Sequence, residues 1–97
     1  MKIIALERPV PGAADEAFTP ELLRQEATRA WELHQSGAIR ELYFRADREE
    51  AVLVLEAPDV AAARKILEQL PLVRAGLLDF DLVPLRGYPG FARLFRG

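Results

Sequence analysis

Residues 38–57 read AIRELYFRADREEAVLVLEA, and this stretch decides the fold. Two runs with strand-like composition, 38–46 and 51–57, stand on either side of a four-residue polar segment, which is the spacing of a β-hairpin. The second run is apolar at every position from Val52 to Leu55, whereas an ordinary antiparallel strand has one polar face. We therefore expect both faces of this strand to be covered.

Helix signals lie on both sides of the hairpin. Before it, Thr19 suits the N-cap and Pro20 the first helical position, so we predict a helix that stops at Gly37. After it, Asp59 follows a proline and opens an amphipathic segment, which predicts a second helix that Pro71 ends. The hairpin therefore lies between two helices.

Two further strands complete the pattern. The short apolar run in residues 1–8 predicts a buried first strand, and the alternating residues 77–83 predict a fourth. The order βαββαβ indicates an α+β fold with a ferredoxin-like subunit, in which helices cover one face of an antiparallel sheet. We assign residues 1–84 to this domain and residues 85–97 to a C-terminal tail.

Composition excludes several functional classes. The 97 residues are 51% hydrophobic and 29% charged, which suits one globular domain, and the net charge of −2 provides no field for nucleic acid. There is no cysteine and a single histidine, and no nucleotide-binding motif is present. We expect no metal, no cofactor, no membrane association and a cytoplasmic location.

The two-faced strand predicts assembly. The simplest cover for its second face is the same face of another subunit, which gives a homodimer that closes into a dimeric α+β barrel. The alternative is that the loop at residues 9–18 and the tail cover this face within one chain.

The tail itself is too apolar for a free end. Residues 1–84 contain ten basic and fifteen acidic residues, a net charge of −5, whereas the tail carries +3. We expect the tail to dock on a neighbouring subunit. The rival interpretation is a helix at a membrane surface, but Pro89 and Gly90 would interrupt such a helix.

Three residues of the first helix are candidates for a functional site. Glu26 and His34 fall on the apolar arc of the helix, away from its other polar residues. Glu26 is a candidate general base, because apolar surroundings raise the pKa of a carboxyl group; the alternative is an ion pair with an arginine of the second strand or of a partner subunit. His34 is either catalytic or a satisfied core or interface histidine, and Trp31 is either a substrate platform or a packing residue.

The second strand adds two more candidates. Strict alternation places Tyr43 and Arg45 on one face, together with Ile39 and Glu41. Arg45 is suited to hold a substrate carboxylate, and Tyr43 to donate a hydrogen bond to an enolate oxygen. The alternative is cross-strand pairing with Glu56 or with an acid of a partner subunit.

The fourth strand carries Asp79 and Asp81 on one face. No third ligand lies near them in the sequence, so metal binding has little support. We interpret both as solvated or paired with arginines.

Several stretches together resemble the muconolactone isomerase-like family. They are RELYFR at 40–45 after the helix that ends at Gly37, LEQLPL at 67–72, and DFDLVPLR at 79–86. The resemblance implies a dimeric α+β barrel, often built into larger rings such as decamers. It also implies cofactor-free double-bond migration in a small carboxylated lactone, in the catabolism of aromatic compounds. Glu26 matches an acidic position of the family's first helix, which makes it the implied base.

Three hypotheses follow. The first is an isomerase-like enzyme that transfers a proton on a small carboxylated lactone or enone. The second is a homo-oligomeric binding or structural protein of the same fold, without catalysis. An oxygen-using monooxygenase of the same barrel class is a third.

Overall fold

The computed structural model of the protein describes residues 1–95 and contains a four-stranded antiparallel sheet. The strands lie in the order β2-β3-β1-β4, and their bounds are Lys2–Pro9 (β1), Ile39–Phe44 (β2), Ala51–Glu56 (β3) and Leu78–Pro84 (β4). The helices are Pro20–Gln35 (α1), Val60–Leu67 (α2) and Pro71–Arg74 (α3), and single 3₁₀ turns occur at Asp15–Ala17 and Gly90–Leu94. The predicted α+β arrangement of a βαββαβ chain is confirmed.

Helix α1 begins and ends where the sequence predicts. The Thr19 hydroxyl accepts a hydrogen bond from the backbone N–H of Leu22 at 3.2 Å, which satisfies a donor that the helix itself leaves free. At the other end Gly37 adopts φ +85°, a conformation that side-chain-bearing residues rarely adopt. These two local signals fix the length of the helix.

The second predicted helix is two helices in the structure. Asp59 caps α2 by accepting a hydrogen bond from the Ala62 N–H at 2.8 Å, but α2 ends at Leu67. Pro71 disfavours helical backbone at the preceding residue, and Leu70 is extended at φ −73° and ψ 126°. Pro71 then starts α3. No helix in the described part of the chain is long and apolar enough to span a membrane.

The core lies on the side of the sheet that the helices cover. Ile3, Leu55 and Phe80 extend from three strands and are at most 2% exposed. Leu33 of α1 and Leu67 of α2 pack against them in one apolar cluster. Burial of these side chains is the main favourable contribution to folding.

The opposite face of the sheet, which we call the open face, has an apolar centre that no helix of the described residues covers and charged residues toward its ends. Leu6, Tyr43 and Val83 point to it and are 40%, 55% and 41% exposed. Val52 and Val54 of β3 contribute to the same face. Within residues 1–95 neither the 9–18 loop nor the tail shields these side chains. The alternative to a second subunit, cover by the loop and the tail of the same chain, is therefore not seen within residues 1–95.

A β-bulge at Arg40 interrupts the alternation of β2. Ile39 pairs with Leu55, but Glu41 pairs with the adjacent Val54, so one residue of β2 is left without a counterpart. As a result Leu42 joins Ile39 on the helix-covered side. The predicted face of Ile39, Glu41, Tyr43 and Arg45 is therefore split, because strict alternation takes no account of the extra residue.

The tail leaves the α+β body. All residues from 84 to 95 except Gly90 are exposed, and the molecule is 62 Å long but only 28 by 23 Å across. Tyr88 stacks edge-on against Phe91 with ring centroids 5.0 Å apart. The Tyr88 ring occupies the space where a side chain at position 90 would lie, which explains the glycine there. Arg96 and Gly97 of the predicted tail lie outside the described residues.

Candidate functional site

A cavity of about 380 Å³ lies between α1 and the sheet. Ala27 and Ala30 of α1 face the sheet here, and their small side chains leave space beneath the helix. The walls combine residues of the sheet, of α1 and of the segment before α3, and they are mostly aliphatic or aromatic: Leu23, Ile39, Leu42, Phe44, Ala51, Leu53, Leu70, Leu72, Leu78 and Phe80. An apolar cavity of this size with a few polar groups is typical of a small-molecule site.

Glu26 is on the wall of this cavity. Helix α1 directs it toward the sheet, where it is partly buried, and its Oε1 atom accepts a hydrogen bond from the Leu72 backbone N–H at 2.9 Å. Burial raises the pKa of the Glu26 carboxyl group, and the negative charge of Glu7 raises it further, while the Leu72 hydrogen bond acts in the opposite direction. The carboxylate is thus more basic than one in water.

No arginine among residues 1–95 forms an ion pair with Glu26. The pairing with an arginine of the second strand, which the sequence left open, is not formed within this chain. A backbone amide holds the carboxylate instead, and an amide carries no positive charge that would stabilise the ionised form as strongly.

Glu7 is a second carboxylate on the cavity wall, and the sequence patterns that pointed to Glu26 did not single it out. Its Oε1 atom accepts a hydrogen bond from the Ala51 backbone N–H at 2.9 Å. A signal was available, because Glu7 continues the alternation of the buried Ile3 and Ala5 along β1. It is the one polar residue among the β1 side chains Ile3, Ala5 and Glu7 that face the helices.

Tyr43 borders the cavity but directs its hydroxyl elsewhere. The hydroxyl donates a hydrogen bond to Glu41 Oε1 at 2.5 Å, and this contact raises the pKa of Tyr43. Both side chains lie on the open face because of the bulge at Arg40. The structure does not direct the Tyr43 hydroxyl toward Glu26.

Arg45 does not line the cavity. Its guanidinium donates to both carboxylate oxygens of Asp47, at 2.8 and 2.6 Å, and lies 4.0 Å from Glu50. With Arg8 and Arg48 it borders a second, charged depression that includes Leu6 of the open face and shares Glu7 and Ala51 with the cavity. The structure therefore separates Arg45 from Glu26, where the sequence analysis expected them to share a site.

His34 and Trp31 also lie outside the cavity wall. The His34 Nδ1 atom is 2.9 Å from the Ile39 carbonyl oxygen, and because a carbonyl only accepts, Nδ1 carries the hydrogen. Trp31 is 60% exposed, with its ring centroid 6.3 Å from that of His34. Both residues lie on the flank of α1, although the helical wheel placed them on the covered arc.

Asp79 and Asp81 are paired, as the sequence analysis interpreted them. Arg8 donates to Asp79 at 2.5 Å and to Asp81 at 2.9 Å, and Arg64 lies 3.3 Å from Asp79. These contacts lower the pKa of Asp79. The part of the chain that the structure describes contains no cluster of three or more potential metal ligands.

Comparisons with known proteins place these features in context. The family model described as muconolactone delta-isomerase matches residues 3–90. The crystal structure of muconolactone isomerase is 26% identical in sequence, with a TM-score of 0.70 and coverage of 92% of each chain. The 5-chloro-2-hydroxyhydroquinone dehydrochlorinase of Burkholderia phenoliruptrix, in complex with 2,5-dihydroxybenzoquinone, is 15% identical. Its TM-score is 0.60, with coverage of 93% of this chain and 98% of that one.

A search of curated proteins gave no significant match.

Proposed function

Because the chain belongs to the muconolactone delta-isomerase family, we propose that it is a cofactor-free isomerase that transfers a proton on a small carboxylated lactone or enone. The observation that carries this proposal is Glu26: a partly buried carboxylate on the wall of an apolar cavity, held by an amide. The resemblance found in the sequence also favours Glu26 as the base.

The proposed reaction begins with proton abstraction. The Glu26 carboxylate removes a proton from a carbon conjugated with the substrate carbonyl, and the electron pair moves into a dienolate. Return of the proton to the far carbon of the dienolate completes the shift of the double bond and regenerates the carboxylate. The raised pKa of Glu26 suits this role, because a stronger base removes a proton from carbon more readily.

The cavity supports the proposal in two further ways. Its apolar walls suit the carbon skeleton of a small unsaturated ring. They also desolvate the carboxylate in part, which raises its pKa. Tyr43, His34, Trp31 and Arg45 are less well supported as site residues of one chain, since their polar groups contact other partners or lie outside the wall.

We also propose that the active form is a homodimer or a larger ring. The open face is apolar and exposed across Leu6, Tyr43 and Val83, and a second copy of the chain would cover it. Docking of the tail on a neighbouring subunit fits its exposed aromatic residues. The cytoplasmic location remains a prediction from the sequence.

The open face also favours a second candidate function, a homo-oligomeric binding or structural protein without catalysis. In that case the fold would serve assembly, and Glu26 would contribute only to the cavity wall. The two candidates differ in what happens to a substrate that enters the cavity.

Proton NMR distinguishes them. Muconolactone and simple butenolides are incubated with the wild-type protein and with Glu26→Gln, and movement of the double bond is followed over time. The isomerase proposal predicts product with the wild-type protein only. Binding of these compounds without conversion by either protein would support the non-catalytic candidate.

A further inference from the structure

The bulge at Arg40 decides which side chains of β2 face the cavity. Strict alternation would direct Tyr43 and Arg45 toward the helices. The extra residue reverses this order: Phe44 pairs with Ala51, which packs against the core, and so lies on the helix-covered side of the sheet. An aromatic ring therefore takes the place on the cavity wall that alternation gives to polar side chains.

Phe44 lines the cavity without being buried in the core. Its side chain is 68% exposed, whereas Phe80, the other phenylalanine of the wall, is 2% exposed. Leu23 of α1 and Leu42 of β2 are also exposed wall residues, so apolar side chains stand on both sides of the cleft between helix and sheet. A large exposed aromatic ring beside an apolar cavity is a surface that a ligand buries when it binds.

The position of Phe44 keeps its ring accessible to a ligand. Its strand β2 is at the edge of the sheet, and opposite it α1 presents the small Ala27 and Ala30 to the cavity. The helix thus leaves the ring uncovered. Because Phe44 is on the helix-covered side, a second subunit that covers the open face does not bury it.

The cavity has the candidate base on its helix wall and the aromatic ring on its sheet wall. Glu26 extends from α1 and Phe44 from β2, and both line the same space. A ligand ring that packs against Phe44 is therefore held inside the cavity that contains the carboxylate. Contact between ring faces is closest when the ligand is flat, as a conjugated lactone or enone is.

We propose that Phe44 is a specificity-determining residue, which packs against the unsaturated ring of the substrate and favours a planar lactone or enone over its saturated analogue. This inference rests on the proposed function and specifies the ring that the same site accepts. The contact involves the ring alone, so it applies whether or not the ligand carries a carboxylate. Phe44 has the platform role that the sequence analysis considered for Trp31, which lies outside the cavity wall.

A matched pair of ligands tests the inference. Muconolactone and its saturated analogue, in which the ring double bond is reduced, carry the same carboxylate and differ in planarity. Calorimetric titrations use the full-length chain with Glu26→Gln, which keeps an acceptor for Leu72 and prevents conversion of the ligand. We expect this parent protein to bind the unsaturated lactone about fivefold more tightly. Adding Phe44→Ala should reduce the preference to less than about twofold.

Phe44→Leu is the second variant. Leucine keeps an apolar side chain at this position but has no flat face, so the preference for the unsaturated ring should be lost here too. The matched control is Val60→Ala, which removes an exposed apolar side chain from α2 outside the cavity wall and should leave both affinities unchanged. Because Phe44 is largely exposed, both of its replacements should fold, and circular dichroism verifies this.

Sedimentation velocity on the same variants separates a ligand contact from a subunit contact. The expected result is a lost preference with unchanged assembly. Three results would overturn the inference: no preference in the parent protein, a full preference in both Phe44 variants, or no binding of either ligand. A change of assembly with the preference intact would assign Phe44 to a subunit contact instead, which also overturns it.

These results are separate from the test of proton transfer. Preferential binding of the unsaturated lactone, without isomerisation by the wild-type protein, would contradict the proposed function alone. Isomerisation by the wild-type protein, with equal binding of the two ligands by the parent protein, would contradict the inference about Phe44 alone.

Discussion

Glu26 of α1 and Leu72 of α3 are joined by a hydrogen bond from the Leu72 backbone N–H to Glu26 Oε1, at 2.9 Å across 46 positions of sequence. This contact ties the carboxylate to Leu72, the last residue of the LEQLPL stretch, which is one of the stretches that resemble the muconolactone isomerase-like family and which enters the short helix α3. It fixes the proposed base without neutralising it. One hydrogen bond therefore connects the candidate base to a stretch that carries the family resemblance.

The raised pKa of Glu26 predicts how its substitution alters stability with pH. Because the folded-state pKa lies above the unfolded one, the folded protein binds more protons between the two values, and its stability falls as the pH rises through them. Glu26→Gln removes this loss and keeps an acceptor for Leu72. We expect a higher melting temperature than wild type at pH ~8 and no difference near pH ~3.5, where both states of the wild type are protonated.

Thermal unfolding followed by circular dichroism at several pH values checks this expectation. Glu32→Gln, on the exposed side of α1, should show no comparable pH dependence. A Glu26→Gln protein less stable than wild type at the higher pH would contradict the account of a desolvated carboxylate.

The core on the helix-covered side predicts a large cost for removal of a buried side chain. Leu67 of α2 is fully buried against the sheet. Leu67→Ala should lower the free energy of unfolding by about 2–5 kcal/mol, through lost burial and the cavity left behind. The neighbouring exposed Lys65→Ala should change it by less than about 0.5 kcal/mol. Urea denaturation measures both, and a cost at Leu67 as small as that at Lys65 would refute this placement of the core.

If the open face is the subunit interface, a single charged side chain introduced there should prevent self-association of the chain. Val52 lies on this face at the centre of the sheet, paired with Leu6 and Tyr43. Val52→Lys should shift the protein toward monomer in sedimentation velocity, because a face-to-face dimer would bury the ammonium group. Gln25→Lys on the exposed side of α1 should keep the wild-type state. An unchanged assembly in Val52→Lys would show that the open face is not the interface.

The tail predicts a second, separable contribution to assembly. Residues 88–95 are exposed apart from Gly90, so their removal should leave the α+β body folded. A chain that ends at Gly87 should retain its circular dichroism spectrum but associate at least about tenfold more weakly, since aromatic residues often carry much of an interface. Wild-type association of the shortened chain would mean that the tail does not dock on a neighbour.

Local signals made the fold predictable. These signals act over a few residues, and the structure follows them. They are the N-caps Thr19 and Asp59, the glycine at position 37 where a helix ends, and the strand-like composition on either side of residues 47–50. The choice of Glu26 as a cavity residue was predictable for the same reason, because helical periodicity alone turns it toward the sheet.

The remaining site residues depend on non-local geometry. A single bulged residue at Arg40 reverses the faces of the rest of β2, so Tyr43 points to the open face instead of the cavity. Trp31 is 60% exposed, and its exposure depends on how α1 packs against the sheet, which helical periodicity alone does not give. Alternation along β1 places Glu7 on the helix-covered side of the sheet. Only the three-dimensional structure shows that it lines the same cavity as Glu26.

The most direct test of the account measures proton abstraction itself. Butenolides are incubated in D₂O with the wild-type protein, Glu26→Gln and the control Glu32→Gln, and proton NMR records the loss of signal at the carbon conjugated with the carbonyl. This detects abstraction even without net isomerisation. We predict exchange with the wild type and the control, and a rate lower by about 10²- to 10⁴-fold with Glu26→Gln. Equal exchange in Glu26→Gln and wild type, with assembly intact, would contradict the role of Glu26 as the base.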